Sequence, residues 1–146
     1  MKTTIIGLLL LATASVNAQE KAQTYQLADA PRYSEETGYG YDLVATPEKG
    51  SKAPFFFSVR VPDGNYQVTV RLGSKKQAGV TTVRGESRRL FIDNLATKKG
   101  QFVDETFIIN KRNPRISEKE SVRIKPREKA KLNWDDKLTL EFNGDA

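Results

Sequence analysis

The sequence predicts an all-β protein, an antiparallel β-sandwich, from three observations. Apolar residues recur at every second position in segment after segment, which is the period of a half-buried strand. Turn residues punctuate those segments at short intervals, as in sandwiches built from short strands. No segment beyond residue 18 carries a helical apolar period, so an apolar sheet face has only a second sheet to bury against.

The elements follow in order. Gln19 to about Lys52 reads as a polar lead. From Phe55 to Val61 the residues Phe55, Phe57, Val59 and Val61 share one face, with Phe56, Ser58 and Arg60 on the other. Pro62-Asp63-Gly64-Asn65 is a turn, proline presetting φ and glycine supplying a positive one. It leads into Tyr66, Val68, Val70 and Leu72 facing in, with Gln67, Thr69 and Arg71 facing out. The two runs are expected to pair as a hairpin.

A polar loop over Gly73 to Gly79 precedes strands expected around Val80 to Glu86 and Arg88 to Asn94, with Leu90 and Ile92 on one face. Thr97-Lys98-Lys99-Gly100 turns the chain into a strand from Gln101 to Asn110, where Val103, Phe107 and Ile109 align and Glu105 interrupts them. That interruption calls for an edge position or a bulge. Beyond Pro114 the charged stretch to Glu120 has no apolar face and reads as loop. Val122 and Ile124 offer a short strand ended by Pro126. Lys137 to Phe142 is the last strand, with Leu138, Leu140 and Phe142 inward and Thr139 and Glu141 outward. Asn143-Gly144 is a strong hairpin-turn dipeptide, so the sandwich is expected to lack a final strand that this turn would lead into.

Ahead of these elements, residues 1–18 have the order of a secretory leader: Lys2, an apolar stretch from Ile5 to Ala14, and Val16-Asn17-Ala18 as a small-residue cleavage site. Cleavage is expected before Gln19, leaving one domain over residues 19–146. The apolar stretch is about half of what a bilayer-spanning helix needs. A secreted or periplasmic location is expected, with no membrane attachment after cleavage. The chain has no cysteine, and a domain of this size can bury a core without disulfides.

Composition narrows the chemistry. With no His and no Cys, the chain cannot build a Ser-His-Asp or Cys-His arrangement, a histidine proton shuttle or a usual zinc site. The formal net charge of +6 points to an acidic partner or to nothing more than a solvated surface, since acidic and basic residues are interspersed. An exported protein has little use for nucleic acid, so an acidic polysaccharide is the better acidic candidate.

Three groups of residues stand out. Tyr33, Tyr39, Tyr41 and Trp134 lie outside the strong inward stripes and are either sugar-stacking platforms or plugs at the sandwich edge. Arg84, Arg88, Arg89, Lys98, Lys99, Arg112, Arg115 and Arg127 can grip uronate carboxylates, arginine in bidentate fashion. Asp135-Asp136 can hold Ca²⁺ or act as hydrogen-bond acceptors in a turn. The binding candidates are therefore Tyr39, Tyr41, Arg88, Arg89 and Trp134 for carbohydrate, and Asp135 and Asp136 for calcium; no other cofactor is expected.

Several stretches resemble a known family. Pro54-Phe55-Phe56-Phe57-Ser58-Val59, Val61-Pro62-Asp63-Gly64-Asn65-Tyr66, Glu86-Ser87-Arg88-Arg89-Leu90 and Leu132-Asn133-Trp134-Asp135-Asp136-Lys137-Leu138 running on to Gly144 resemble the N-terminal domain of bacterial rhamnogalacturonan acetylesterases. The resemblance covers most of residues 25–146, and the Asn-Trp-Asp-Asp run is its more specific part. It implies a galactose-binding-like jelly roll preceding an SGNH-type hydrolase domain that removes acetyl groups from pectin. Its Gly-Asp-Ser block and Asp-x-x-His partner would lie after residue 146. Three functions are thereby expected in competition: a non-catalytic accessory domain of such an esterase, a free-standing binding module for acidic polysaccharide, and a purely structural or docking domain.

Overall fold

The computed structural model describes residues 22–43, 54–86, 88–126 and 134–144. The leader expected over residues 1–18 lies outside them. Seven strands make up the described fold: β1 (Tyr39–Asp42), β2 (Phe55–Arg60), β3 (Gly64–Gly73), β4 (Gly79–Gly85), β5 (Arg89–Thr97), β6 (Phe102–Lys111) and β7 (Lys137–Gly144). A single 3₁₀ turn at Leu27–Asp29 precedes them. The strands form a five-stranded sheet in the order β1-β2-β7-β4-β5 and a two-stranded sheet of β3 and β6, every pairing antiparallel.

The core lies between the sheets. Phe57, Val83, Ile92, Leu138, Leu140 and Phe142 come from the larger sheet, and Val70, Leu72 and Ile109 from the smaller. Stacked rings reinforce it, Phe55 on Phe142 at 4.9 Å and Phe91 on Phe107 at 4.3 Å between centroids. This is the two-layer solution that period-2 patterning without an amphipathic helix requires.

The expected hairpin of β2 and β3 does not form. β2 pairs with β1 and β7, while β3 pairs with β6. Pro62 to Gly64 instead carries the chain from one sheet to the other. Both strands bear strong apolar stripes, and such stripes bury more area facing each other across a core than side by side on one sheet. Tyr66 secures the corner by donating its hydroxyl to the Pro62 carbonyl at 2.8 Å.

Further expectations change. Leu90 and Ile92 do not share a face, since Leu90 is exposed and Ile92 buried. β5 carries register irregularities against β4, pairing Ile92 with Val83 but Leu90 with Arg84. The extra residue of a bulge swaps faces, and it admits Phe91 to the core. Thr139 faces outward as expected but is 1% exposed, because β7 lies in mid-sheet and its outer face is covered at that point. Asn143-Gly144 is not a turn but the end of β7, paired with Thr82 and Thr81 of β4. Gly144 has a φ of +106° and passes so near the Val80 carbonyl that a Cβ would collide with it. The glycine serves strand-to-strand approach there, not chain reversal.

The strand expected at Val122 and Ile124 is absent; Val122 donates its N–H to the Pro114 carbonyl at 2.7 Å, next to an isolated bridge between Arg115 and Ser121. The polar lead, conversely, contains β1, where Tyr41 turns inward with its hydroxyl donating to the Leu27 carbonyl at 2.6 Å. Glu105 sits opposite Val70 in an unbroken β3–β6 register, so the edge position and not a bulge accommodates it.

Candidate functional site

Four chain segments converge at one end of the sandwich, and their charged residues meet there. The β2–β3 link brings Asp63, the turn after β4 brings Glu86, Arg88 and Arg89, the exit of β6 brings Lys111 and Arg112, and the approach to β7 brings Trp134 and Asp135. Register drives the convergence: Gly64 pairs with Lys111, Gly85 with both Arg89 and Leu140, so the ends of these strands are level.

Lys111 is the anchor. It is 2% exposed and its ammonium lies 2.9 Å from Asp63 Oδ1. That hydrogen bond, joined by one from the Asn113 amide, outweighs desolvation and holds the Asp63 carboxyl below its ordinary range. Arg89 is half-buried and donates to the Asn110 carbonyl at 3.1 Å, while Arg88 is exposed. Trp134 is half-buried, with the Arg112 guanidinium 4.5 Å above its ring, a cation–π contact that lays charge and aromatic surface side by side.

Glu86 is the unexpected member. It is only 3% exposed. Its backbone N–H donates to the Thr139 carbonyl at 3.0 Å, and its carboxyl accepts the Thr139 N–H at 3.1 Å. One residue thus continues the β4–β7 ladder with its side chain after the strand has ended. Burial, aided by the nearby Asp135 charge, pushes its carboxyl up to about 7 against the Thr139 hydrogen bond and the attraction of Arg89 and Lys111. Burial likewise raises the Asp135 carboxyl, against the Lys137 amide and ammonium.

Beside this cluster, on the face of the larger sheet turned away from the core, a second polar group is knitted together. Lys137 places its ammonium 2.6 Å from Asp42 Oδ2, Ser58 Oγ lies 2.9 Å from the same oxygen, and Ser58 and Thr139 share a 2.7 Å hydroxyl contact. Burial alone would raise the Asp42 carboxyl, but the bonds from Lys137 and Ser58 prevail and hold it low. Serine, lysine and aspartate together invite comparison with nucleophilic chemistry. Ser58, however, has no exposed surface and its hydroxyl is committed to Asp42 and Thr139. The group is a brace joining β1, β2 and β7.

The residues expected to bind ligand divide accordingly. Arg88, Arg89, Trp134 and Asp135 come together at the cluster. Tyr39 and Tyr41 do not. Tyr39 packs against Tyr25 and Phe57, and Tyr41 is 6% exposed between Phe55 and Phe57, so neither presents a ring face as a sugar platform. Asp135 and Asp136 diverge: Asp135 Oδ1 accepts the Lys137 N–H at 2.9 Å, a turn-type bond, whereas Asp136 lies 3.8 Å from Arg60. Among the described residues no three acidic side chains converge into a metal-binding group. No helix of the described residues is long and apolar enough to cross a membrane.

Sequence reasoning overlooked Glu86, Lys111 and Asp63 as a group. A lone acid following a strand-ending Gly85 and a lysine closing a strand look like ordinary surface residues. Only the pairing of β3 with β6, which sets Lys111 beside the exposed Asp63 corner, and that of β4 with β7, which closes Glu86 on Thr139, reveal the burial of Lys111 and Glu86. Compared with protein-family models, curated proteins and solved structures, the chain matches none of them.

Proposed function

We propose that this chain is a non-catalytic, galactose-binding-like β-sandwich module of a secreted carbohydrate esterase resembling rhamnogalacturonan acetylesterase, and that it engages acidic, pectin-type polysaccharide through its charged end. The observation that carries this reading is the meeting of Trp134 and Arg112 at 4.5 Å on the same end of the sandwich as Arg88 and Arg89. A uronate presents a ring face for the aromatic and a carboxylate for the guanidinium, and this pair offers both. The missing histidine and cysteine and the burial of Ser58 fit a binding role better than a hydrolytic one.

Affinity electrophoresis through polygalacturonate and through a neutral glycan tests it. Retardation by polygalacturonate alone, abolished in Trp134→Ala and in Arg112→Ala and weakened by salt, is the expected result. No retardation by either glycan would leave a docking role toward the catalytic domain, which the Arg112 contact already covering Trp134 favours as the second reading. Release of acetate from acetylated pectin by this chain, lost on mutation within residues 19–146, would overturn the non-catalytic assignment.

A further inference from the structure

We propose that the end of the sandwich opposite Trp134 and Lys111 is a docking surface for an anionic phospholipid membrane, built from Lys75, Lys76, Lys98 and Lys99. It lies away from the residues assigned to glycan and stands independently of that reading.

Two links meet at this end. One runs from Gly73 of β3 to Gly79 of β4, the other from Thr97 of β5 to Phe102 of β6. Register brings them level, since Gly73 pairs with Phe102 and Gly79 with Thr97. The Gly100 N–H donates to the Ser74 carbonyl at 2.8 Å, and Gly73 passes so close to the Gln101 carbonyl that a Cβ would collide with it. Each link is also bonded within itself: the Lys76 N–H donates to Ser74 Oγ at 3.1 Å and the Lys98 N–H to Gln101 Oε1 at 3.0 Å. Two lysine pairs far apart in sequence are thus held side by side before any partner arrives, and little backbone ordering remains to be lost on contact.

All four lysines are exposed, and none of their ammonium groups has an ion-pair partner among the described residues. No Asp or Glu occurs from Leu72 to Gly85 or from Asn94 to Val103. Of the acids that bound the second stretch, Asp104 pairs with Arg71 at 3.8 Å, and Asp93 lies back along β5, about 13 Å from Thr97 at the rise of a strand. The rest of this end is partly apolar: Phe102 and Val80 are 38% and 42% exposed, and Ala78 is exposed too.

That composition selects the partner. Lysine is a point charge without the fork that grips a carboxylate. The exposed ring of Phe102 already carries the Arg71 guanidinium, 5.3 Å from its centroid, so it offers no clear platform to a sugar or a base. An anionic bilayer needs neither feature. It presents a plane of phosphates to several ammonium groups at once, and its interface accepts small apolar surface between them. The contact is peripheral and reversible, and requires neither a span nor a lipid anchor.

Cosedimentation of the full chain with vesicles tests the surface, read as the difference between vesicles of equal parts phosphatidylglycerol and phosphatidylcholine and vesicles of phosphatidylcholine alone. The expected result is tighter binding to the anionic vesicles, weakened about fivefold for each lysine replaced by glutamine and lost in about 0.5 M salt. Lys75→Gln with Lys76→Gln and Lys98→Gln with Lys99→Gln should weaken it alike, and the four-site variant should abolish the difference. Should that variant fail to fold, either pair alone reads the same effect. Lys119→Gln with Arg123→Gln removes as much charge from exposed positions beyond β6 and should leave binding unchanged. No difference between the two kinds of vesicle overturns the proposal, as does an equal loss in the Lys119 and Arg123 variant. So does retardation by polygalacturonate or heparin that depends on the four lysines without vesicle binding, which would assign this end to a soluble polyanion.

Discussion

Lys111, the last residue of β6, is 2% exposed and holds its ammonium 2.9 Å from the carboxylate of Asp63, tying the smaller sheet to the corner where the chain changes sheets. Asp63 keeps 41% of its side chain in contact with solvent, so water reaches one partner and not the other. Removing the aspartate therefore strands a buried cation, whereas removing the lysine leaves an acid that can hydrate. Asp63→Ala is expected to destabilise by roughly 2–4 kcal/mol and Lys111→Met by distinctly less. Urea unfolding of both variants checks the order; equal losses would mean that the pair acts only as packing.

Two limbs are expected in the dependence of stability on pH. Asp63 and Asp42 have folded values below their ordinary range, so the stability they confer is present above that range and is lost as pH falls through their folded values. Glu86 has the opposite sign. Raised to about 7 from 4.5, it contributes stability that is complete below about 4.5 and disappears as pH rises through 7, by up to roughly 3 kcal/mol. Urea midpoints measured across acid and neutral pH should pass through a maximum between the limbs. Glu86→Gln should make the neutral limb shallower, leaving the share of the raised Asp135 carboxyl, and leave the acid limb in place; an unaltered slope in that variant would contradict the assignment.

Gly85 has no room for a side chain. A Cβ there would stand 2.5 Å from Ile109 Cδ1 and 2.8 Å from Phe91 Cε2, one atom a movable methyl and the other the edge of a ring stacked on Phe107. Gly85→Ala is expected to cost about 1–3 kcal/mol through overpacking, visible as a lower thermal midpoint and as changed ring shifts at Phe91 and Phe107.

Tyr41 and Trp134 should separate cleanly in function. Tyr41→Phe removes the 2.6 Å bond to the Leu27 carbonyl and leaves an acceptor short of its donor, for about 1 kcal/mol, with glycan retardation unchanged. The single tryptophan of the chain reports on the charged end: Arg112→Ala strips the cation from its ring and should shift its fluorescence emission. Polygalacturonate should shift the wild-type emission under the same conditions in which it retards the protein, and a silent tryptophan would place binding elsewhere.

The class of fold and most of the strands were written in local order. Alternation at Tyr66 to Leu72 and at Leu138 to Phe142 specifies strands and their core faces, because side chains of successive residues point to opposite sides of a pleated chain. What neighbours what is a different matter. Pro62-Asp63-Gly64-Asn65 has the chemistry of a hairpin and Asn143-Gly144 that of another, yet the first bridges two sheets and the second lies within β7. Turn propensities are worth little beside the burial of whole apolar faces, so sheet assignment overrides them.

The charged end divides along the same line. Trp134, Asp135, Arg88 and Arg89 could be singled out by residue type, since aromatic and charged groups near turns are what a binding surface uses. By itself the sequence determined a basic, cysteine-free and histidine-free chain of amphipathic strands that must pack as two sheets. Only the tertiary structure decided that Tyr39 and Tyr41 serve the core, that Lys111 is buried on Asp63, and that Glu86 closes on Thr139. Burial and field are properties of contacts between segments far apart in the chain, and a carboxyl is raised to about 7 by what surrounds it, not by its place in the order of residues.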